Sequence, residues 1–230
     1  MKKLIPAICM TLIAAVMLAS STFAWFSMNT SVTAEGMQVT AQSNSVYLLI
    51  SEESELAAIQ GANSTKVTYS AGSTALFPSA HKEVTNTTAA TTLSNWYYKT
   101  ADAPDASTST GSENELSKFD GYVLHKTVYI AVAAGSNTAE ELKVSATITA
   151  AESGTITPIR VLVTTTTAVA ELSSATTSSD VVLAATISNT DVIAVDIFIY
   201  YDGNNADVYT NNIANLDGAT INLTFSVKAA

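Results

Sequence analysis

The sequence predicts an all-β chain: an antiparallel β-sandwich of jelly-roll type with a long irregular insertion, preceded by a hydrophobic N-terminal signal helix. Thr, Ser, Val, Ile and Ala dominate and charged residues make up only 13%. That composition suits sheet faces lying half in water and half against neighbours better than it suits helices built on Glu, Lys and Leu. Apolar and polar residues alternate with a period of two through most of the second half, the signature of half-buried strands. Gly, Asn and Ser clusters of turn type separate the alternating runs.

The chain opens MKKLIPAICMTLIAAVMLASSTFAWF. Lys2 and Lys3 form a basic start, Leu4 to Ala19 an apolar run, and the residues up to Ala24 an end rich in small side chains. This is the order read by a translocon and then by a signal peptidase. The expected cut lies between Ala24 and Trp25, with Ala19 and Ser21 as alternative ends of the leader. Residues 1–24 are thus expected to be a signal peptide and residues 25–230 a single β-sandwich domain. A run of about 20 apolar residues is also long enough to span a bilayer, so an uncleaved anchor is the other reading. Small residues at its end and the lack of a basic stop-transfer cluster favour cleavage. Membrane contact is expected only through this segment.

Removing Lys2 and Lys3, with no acidic residue, takes the net charge from −10 to −12. The 10 Lys and Arg residues are scattered, which argues against a phosphate-binding groove and so against nucleic acid, and equally against an anionic membrane surface. The one cysteine, Cys9, lies in the leader, leaving the mature chain no disulfide, thiolate nucleophile or cysteine metal site. About 200 residues remain, enough to pack a core without disulfide staples.

In order along the chain, Ser31 to Ala41 alternates with a phase change at Gly36, which suggests a bulge. NSVYLLI, Asn44 to Ile50, is a short apolar run bounded by turns, as a buried strand is. Glu52, Glu53 and Glu55 open a possible short helix to Gln60, and Lys66 to Ser70 is a further short strand. From about 72 to 119 periodicity fades: a Thr/Ala tract, the aromatic trio Trp96, Tyr97 and Tyr98, and a turn-rich run follow one another. A structureless loop of that length is uncommon in a compact domain, and three adjacent rings are too apolar to leave in water. Trp96 is therefore expected at a core edge or in an interface.

Regular alternation then returns. Val128, Ile130 and Val132 share one side, Gly135-Ser136-Asn137 turns the chain, and Leu142, Val144, Ala146 and Ile148 face inward. Next come Ile159, Val161 and Val163, then Val181, Leu183, Ala185 and Ile187. Ile193, Val195, Ile197 and Ile199 are expected inward, with Asp196, Phe198 and Tyr200 on the other face; the closing strand puts Ile221, Leu223, Phe225 and Val227 inward. A slip of one residue would bury the polar set, so register is well specified. Two small immunoglobulin-like sandwiches divided near 100–118 are the alternative architecture.

The junction T-F-A-W-F-S followed by V-T-A-E-G-M-Q-V resembles the exported TasA/camelysin group, whose leaders are cut by a SipW-type signal peptidase. KTVYIAVAAGSNTAEELKVSATI is similar to that group's strand-turn-strand unit, and ATINLTFSVKA to its last core strand. The likeness covers about a third of the chain, in three places. The Thr/Ala insertion and YYDGNNADVY depart from it. The resemblance implies a jelly-roll subunit of extracellular fibres, whose freed N-terminal segment adds as a strand to the next subunit. The residues make independent sense of this. A terminus beginning Trp25-Phe26 carries two large rings, pockets for Phe26, Met28 and Val32 would set register, and main-chain hydrogen bonds to an open sheet edge would supply affinity. A head-to-tail contact of this kind does not close and so builds filaments. The alternative is that residues 25–32 fold back as an edge strand of their own domain.

Catalytic signals are sparse. His81 and His125 read as surface residues, no H-E-x-x-H zinc motif or G-x-S-x-G elbow is present, and a serine triad would need a positioned histidine. Asp202-Gly203-Asn204-Asn205-Ala206-Asp207 is oxygen-rich like a calcium loop but lacks the closing Glu, and turn chemistry explains it as well. Lys126 or Lys143 could serve an isopeptide crosslink, although nothing in sequence pairs them. The expectation is a non-enzymatic, cofactor-free, secreted fibre subunit at the cell surface or in a biofilm matrix, with other copies of itself and a signal peptidase as partners. The alternative is a monomeric adhesin or carbohydrate-binding module using Trp96, Tyr97 and Tyr98 as surface-binding aromatics.

Overall fold

The computed structural model describes residues 37–42, 46–69, 76–99, 113–150, 155–208 and 219–229, all within the unit Ser31–Ala230. The expected signal helix, the Ala24-Trp25 junction and the donor residues Trp25, Phe26, Met28 and Val32 lie outside the described residues. What is described is predominantly β, in antiparallel sheets with one parallel ladder.

One five-stranded sheet is built from β1 (Met37–Gln42), β3 (Lys66–Tyr69), β8 (Ala139–Ala150), β11 (Ala184–Ile187) and β13 (Ala219–Ala229), in the spatial order β11-β8-β13-β1-β3. A second contains β2 (Leu48–Ser51), β7 (Val123–Val132), β9 (Ile159–Thr164), β10 (Val169–Ser173) and β12 (Ile193–Tyr201), in the order β10-β9-β12-β7-β2. The two share one core, as a sandwich does. Leu142, Val144, Ala146, Ile221, Leu223 and Phe225 from the first sheet meet Val128, Ile130, Val161, Val163, Val195 and Ile197 from the second. Period two puts each of these on one face and burial holds it there, at roughly 1.5–3 kcal/mol for each large aliphatic side chain. A bulge interrupts the β8–β13 ladder between Ser226 and Lys228. Opposite it, Glu141 takes a positive φ of 53°, the local kink that an unpaired extra residue imposes.

The outer face of the second sheet is buried too. At one end α1 (Leu56–Ala62) lays Ile59 against Leu49 and Ala131. At the other lies the insertion, whose described residues are not irregular. It holds β4 (Ala80–His81), α2 (Thr87–Thr91), a 3-10 turn at Leu93–Asn95, β5 (Trp96–Lys99) and β6 (Glu113–Glu115). The three strands form a small antiparallel sheet in the order β4-β5-β6. The Asn86 side chain caps α2 by accepting from the Ala89 N–H at 2.9 Å, which stabilises a helix too short to persist alone. Val84, Ala90, Trp96 and Leu116 from this segment cover Val123, Leu162, Phe198 and Tyr200. β12 is accordingly buried on both faces, which explains its unbroken VDIFIYY: alternation marks only strands with one wet face.

One strand lies where none was expected, and one expectation is corrected. Val169–Ser173 is a strand, paired with β9 through a tight turn, where the Thr-rich sequence gave no sign of one. Along 181–187, Val181 and Ala185 are exposed while Leu183 and Ile187 are buried. Leu183 and Ser179 bond Leu142 and Val144 of β8 through their N–H groups, so the intervening residues bow outward and the alternation is broken.

Candidate functional site

β1 lies between β13 and β3 in the first sheet. It runs parallel to β13, with Met37 opposite Ile221, Val39 opposite Leu223 and Gln42 opposite Ser226. On its other side it runs antiparallel to β3, with Met37 opposite Tyr69 and Thr40 opposite Lys66. The first described strand is therefore interior to its sheet, hydrogen-bonded along both sides, and its ladder with β13 is the single parallel pairing among the described strands. An antiparallel sandwich has no need of such a ladder, and parallel neighbours require a long crossover. Here the crossover is nearly the whole chain.

The sequence-predicted aromatics separate. Trp96 is fully buried, its indole N–H donating to the Ala90 carbonyl at 2.7 Å, with its ring against His81, Phe119, Phe198 and Tyr200. Tyr97 is buried and its hydroxyl accepts from Asn204 Nδ2 at 3.3 Å. A platform using all three rings is thus corrected: alternation along β5 sends Trp96 into a second core. Tyr98 packs on Tyr122 at 5.3 Å, and Tyr122 on Phe77 at 5.7 Å. Phe77 is 48% exposed and Tyr98 and Tyr122 are half-buried, so this row reaches the surface at Phe77; Tyr47, 74% exposed, stands apart from it. Phe77 and Tyr122 were illegible in sequence because their juxtaposition depends on the Phe77 N–H bonding the Gly121 carbonyl at 2.7 Å.

Both histidines leave the solvated role expected of them. His125 Nε2 lies 2.7 Å from Asp196 Oδ1; since an ionised carboxylate only accepts, His125 is the donor. Thr127 Oγ1 donates to the same oxygen at 2.7 Å, and the His125 ring stacks on Phe198 at 4.4 Å with planes 2° apart. Burial pushes the Asp196 carboxyl up, but hydrogen bonds from His125 and Thr127 outweigh it, and the carboxyl ends below its usual range. His81 sits edge-on to Trp96 and Tyr200 and 3.8 Å from Glu171. Glu171 also accepts from the Tyr200 hydroxyl at 3.0 Å and neighbours Arg160 at 3.8 Å. Burial and then the Glu171 charge push the Tyr200 phenol well above its ordinary value.

The oxygen-rich loop is engaged internally. Asp202 accepts from the Asn204 N–H at 2.9 Å and faces Arg160 at 3.4 Å, Asn205 accepts from the Asp207 N–H at 2.9 Å, and Asp207 accepts from Thr157. Among the described residues no group of three His, Cys, Asp or Glu is placed to hold a metal ion. Lys126 lies 5.0 Å over the Tyr69 ring and Lys143 is 3.7 Å from Glu141, so neither is set beside an isopeptide partner. The sequence signal that could have paired His125 with Asp196 is register: Thr127 and His125 face Asp196 and Phe198 across the β7–β12 ladder. The chain matches no protein-family model and no curated protein.

Proposed function

We propose that this protein is a secreted structural subunit of extracellular fibres, polymerising by donation of its N-terminal strand to a neighbouring copy, and that its role is structural rather than catalytic. The observation that carries the proposal is the parallel insertion of β1 between β13 and β3. With β1 set aside from the first sheet and β2 from the second, the strand orders read β3-β13-β8-β11 and β7-β12-β9-β10. The chain visits them in the order β3, β7, β8, β9, β10, β11, β12, β13, the path of a jelly roll. In that path β3 would lie antiparallel beside β13. β1 is an additional strand wedged between them, running against the expected sense, and it leads directly back to the expected free terminus. A slot of that kind takes main-chain hydrogen bonds from any copy of the same strand, and filling it from the next subunit gives an open head-to-tail polymer. The TasA/camelysin-like resemblance, export and a cell-surface or matrix location belong to the same proposal.

Register supplies the test. The mature chain expected after cleavage has no cysteine, the only one being Cys9, and Thr40 is paired with Thr224. A Thr40→Cys protein and a Thr224→Cys protein are mixed, allowed to assemble and oxidised. Strand donation predicts disulfide-linked dimers from the mixture, together with filaments in electron micrographs. Crosslinking confined to the double variant, within one chain and with no filaments, would overturn it. The second proposal, a monomeric secreted adhesin or carbohydrate-binding module, is favoured by the aromatic row of exposed Phe77 and half-buried Tyr122 and Tyr98. A persistent monomer that binds glycans, and ceases to on Phe77→Ala, is its expected outcome.

A further inference from the structure

Among the described residues β3 pairs with β1 alone. A subunit whose β1 has passed to a neighbour therefore keeps a β3 without a ladder and a β13 with a bare margin. We propose, on the strand-donation reading, that in such a subunit β3 moves across and pairs with β13 directly, closing the slot until the β1 of a further copy reopens it. The open end of a fibre is then capped by its own chain.

Sense and register both permit the move. β1 runs parallel to β13 and antiparallel to β3, so β3 already lies antiparallel to β13. Val67 and Leu223 are both opposite Val39, and Tyr69 and Ile221 are both opposite Met37; all four flanking side chains are buried. Thr68 and Asn222, both opposite Gln38, are exposed and half-buried. A sideways step of one strand spacing, about 4.8 Å, thus leaves each side chain on its present face, with no one-residue slip to bury the polar set. β3 hangs from α1 by Asn63, Ser64 and Thr65, none of them buried, and Asn63 takes a left-handed φ of 47°. The swing starts in an accessible linker.

The same geometry makes the closed edge yield to a neighbour's strand. The step gives up the bond from the Ile50 N–H to the Ser64 carbonyl at 2.8 Å and that from the Tyr69 hydroxyl to the Thr127 carbonyl at 3.3 Å. β3 has four residues and in this register covers β13 only from Ile221 to Thr224, whereas β1 has six and reaches Ser226. Insertion restores both bonds and sets a ladder on each side of the incoming strand. Closure meanwhile hides a margin that would otherwise pair with any exposed strand.

Thr68→Cys with Asn222→Cys in the mature chain reads the two states. With β1 between them the Cα atoms are two strand spacings apart, about 10 Å, beyond the limit of about 7 Å for a disulfide. Direct antiparallel pairing brings them to about 4.5–5.5 Å. Val39→Pro, which removes an N–H that an interior strand uses, keeps β1 out. Under mild oxidation the triple variant is expected to form the intrachain disulfide almost completely, and a synthetic peptide of residues 31–42 to slow it several-fold. The double variant that keeps Val39 should be trapped in the same disulfide more slowly, as β1 leaves its slot, and it supplies the reading if the proline variant does not fold. Absence of the disulfide from both chains, or its formation at a rate the peptide leaves unchanged, would overturn the closure. The mixture of Thr40→Cys and Thr224→Cys proteins reports donation separately: a disulfide here without crosslinks between copies there would remove the fibre and keep the mobile β3.

Discussion

Trp96 shows how much one side chain can decide. It is fully buried, ringed by four aromatic neighbours and hydrogen-bonded through its indole N–H. Removing the ring leaves a cavity the surrounding rings cannot close, so Trp96→Ala is expected to cost about 3–5 kcal/mol, read as a lower denaturant midpoint. Trp96→Phe refills most of that volume but strips the Ala90 carbonyl of its donor, at about 1–3 kcal/mol. Equal losses for the two variants would show that the hydrogen bond, lost in both, and not the packing holds the indole. Tyr69 offers a spectroscopic check on the other side of the sandwich. Burial, then the Glu52 charge, pushes its phenol up to about 12, and its hydroxyl donates to the Thr127 carbonyl at 3.3 Å. Ultraviolet titration should find one tyrosine ionising near that value in the folded protein, and Tyr69→Phe should remove it.

At the scale of elements, what was legible in sequence follows from how many faces each strand shows to water. β8 and β13 have one wet face, so Leu142, Val144, Ala146, Ile221, Leu223 and Phe225 could be assigned inward by alternation, and they are. β12 and the end of β9 have none, and alternation said nothing of the layer covering Phe198 and Leu162. The insertion resisted sequence reading for the same reason: its two- to four-residue strands and five-residue helix are stabilised by docking rather than by local pattern. The capping of α2 is therefore worth testing. Asn86→Ala removes the acceptor for the Ala89 N–H and should cost about 1 kcal/mol, with hydrogen exchange rising in 87–95 and not in β8. The candidate site was half legible. An adhesive N-terminal segment was expected from Trp25, Phe26, Met28 and Val32, which lie outside the described residues; among the described residues the strand set between β13 and β3 is Met37–Gln42. Its parallel sense could not be read from an alternation that is the same in either direction. Val39 lies mid-strand between β13 and β3, so Val39→Pro removes an N–H that an interior strand uses. Filaments should be absent from that variant under conditions where Val39→Ala still forms them.

For the whole molecule, charge sets how readily copies meet. The mature chain expected after loss of Lys2 and Lys3 carries −12, with few compensating cations, so under the proposed head-to-tail assembly two subunits repel before any strand can pair. Strand donation itself is a main-chain and apolar contact and gains little from charge pairs. Salt should therefore act on the approach alone: the screening length falls from about 30 Å at 0.01 M to about 8 Å at 0.15 M, and over that range the lag before light scattering rises should shorten several-fold while the filaments formed keep the same crosslink between Thr40→Cys and Thr224→Cys. If salt instead lengthened the lag, the contact between copies would be an attraction between opposite charges, and the parallel slot beside β13 would have to be assigned to a strand that stays in its own subunit.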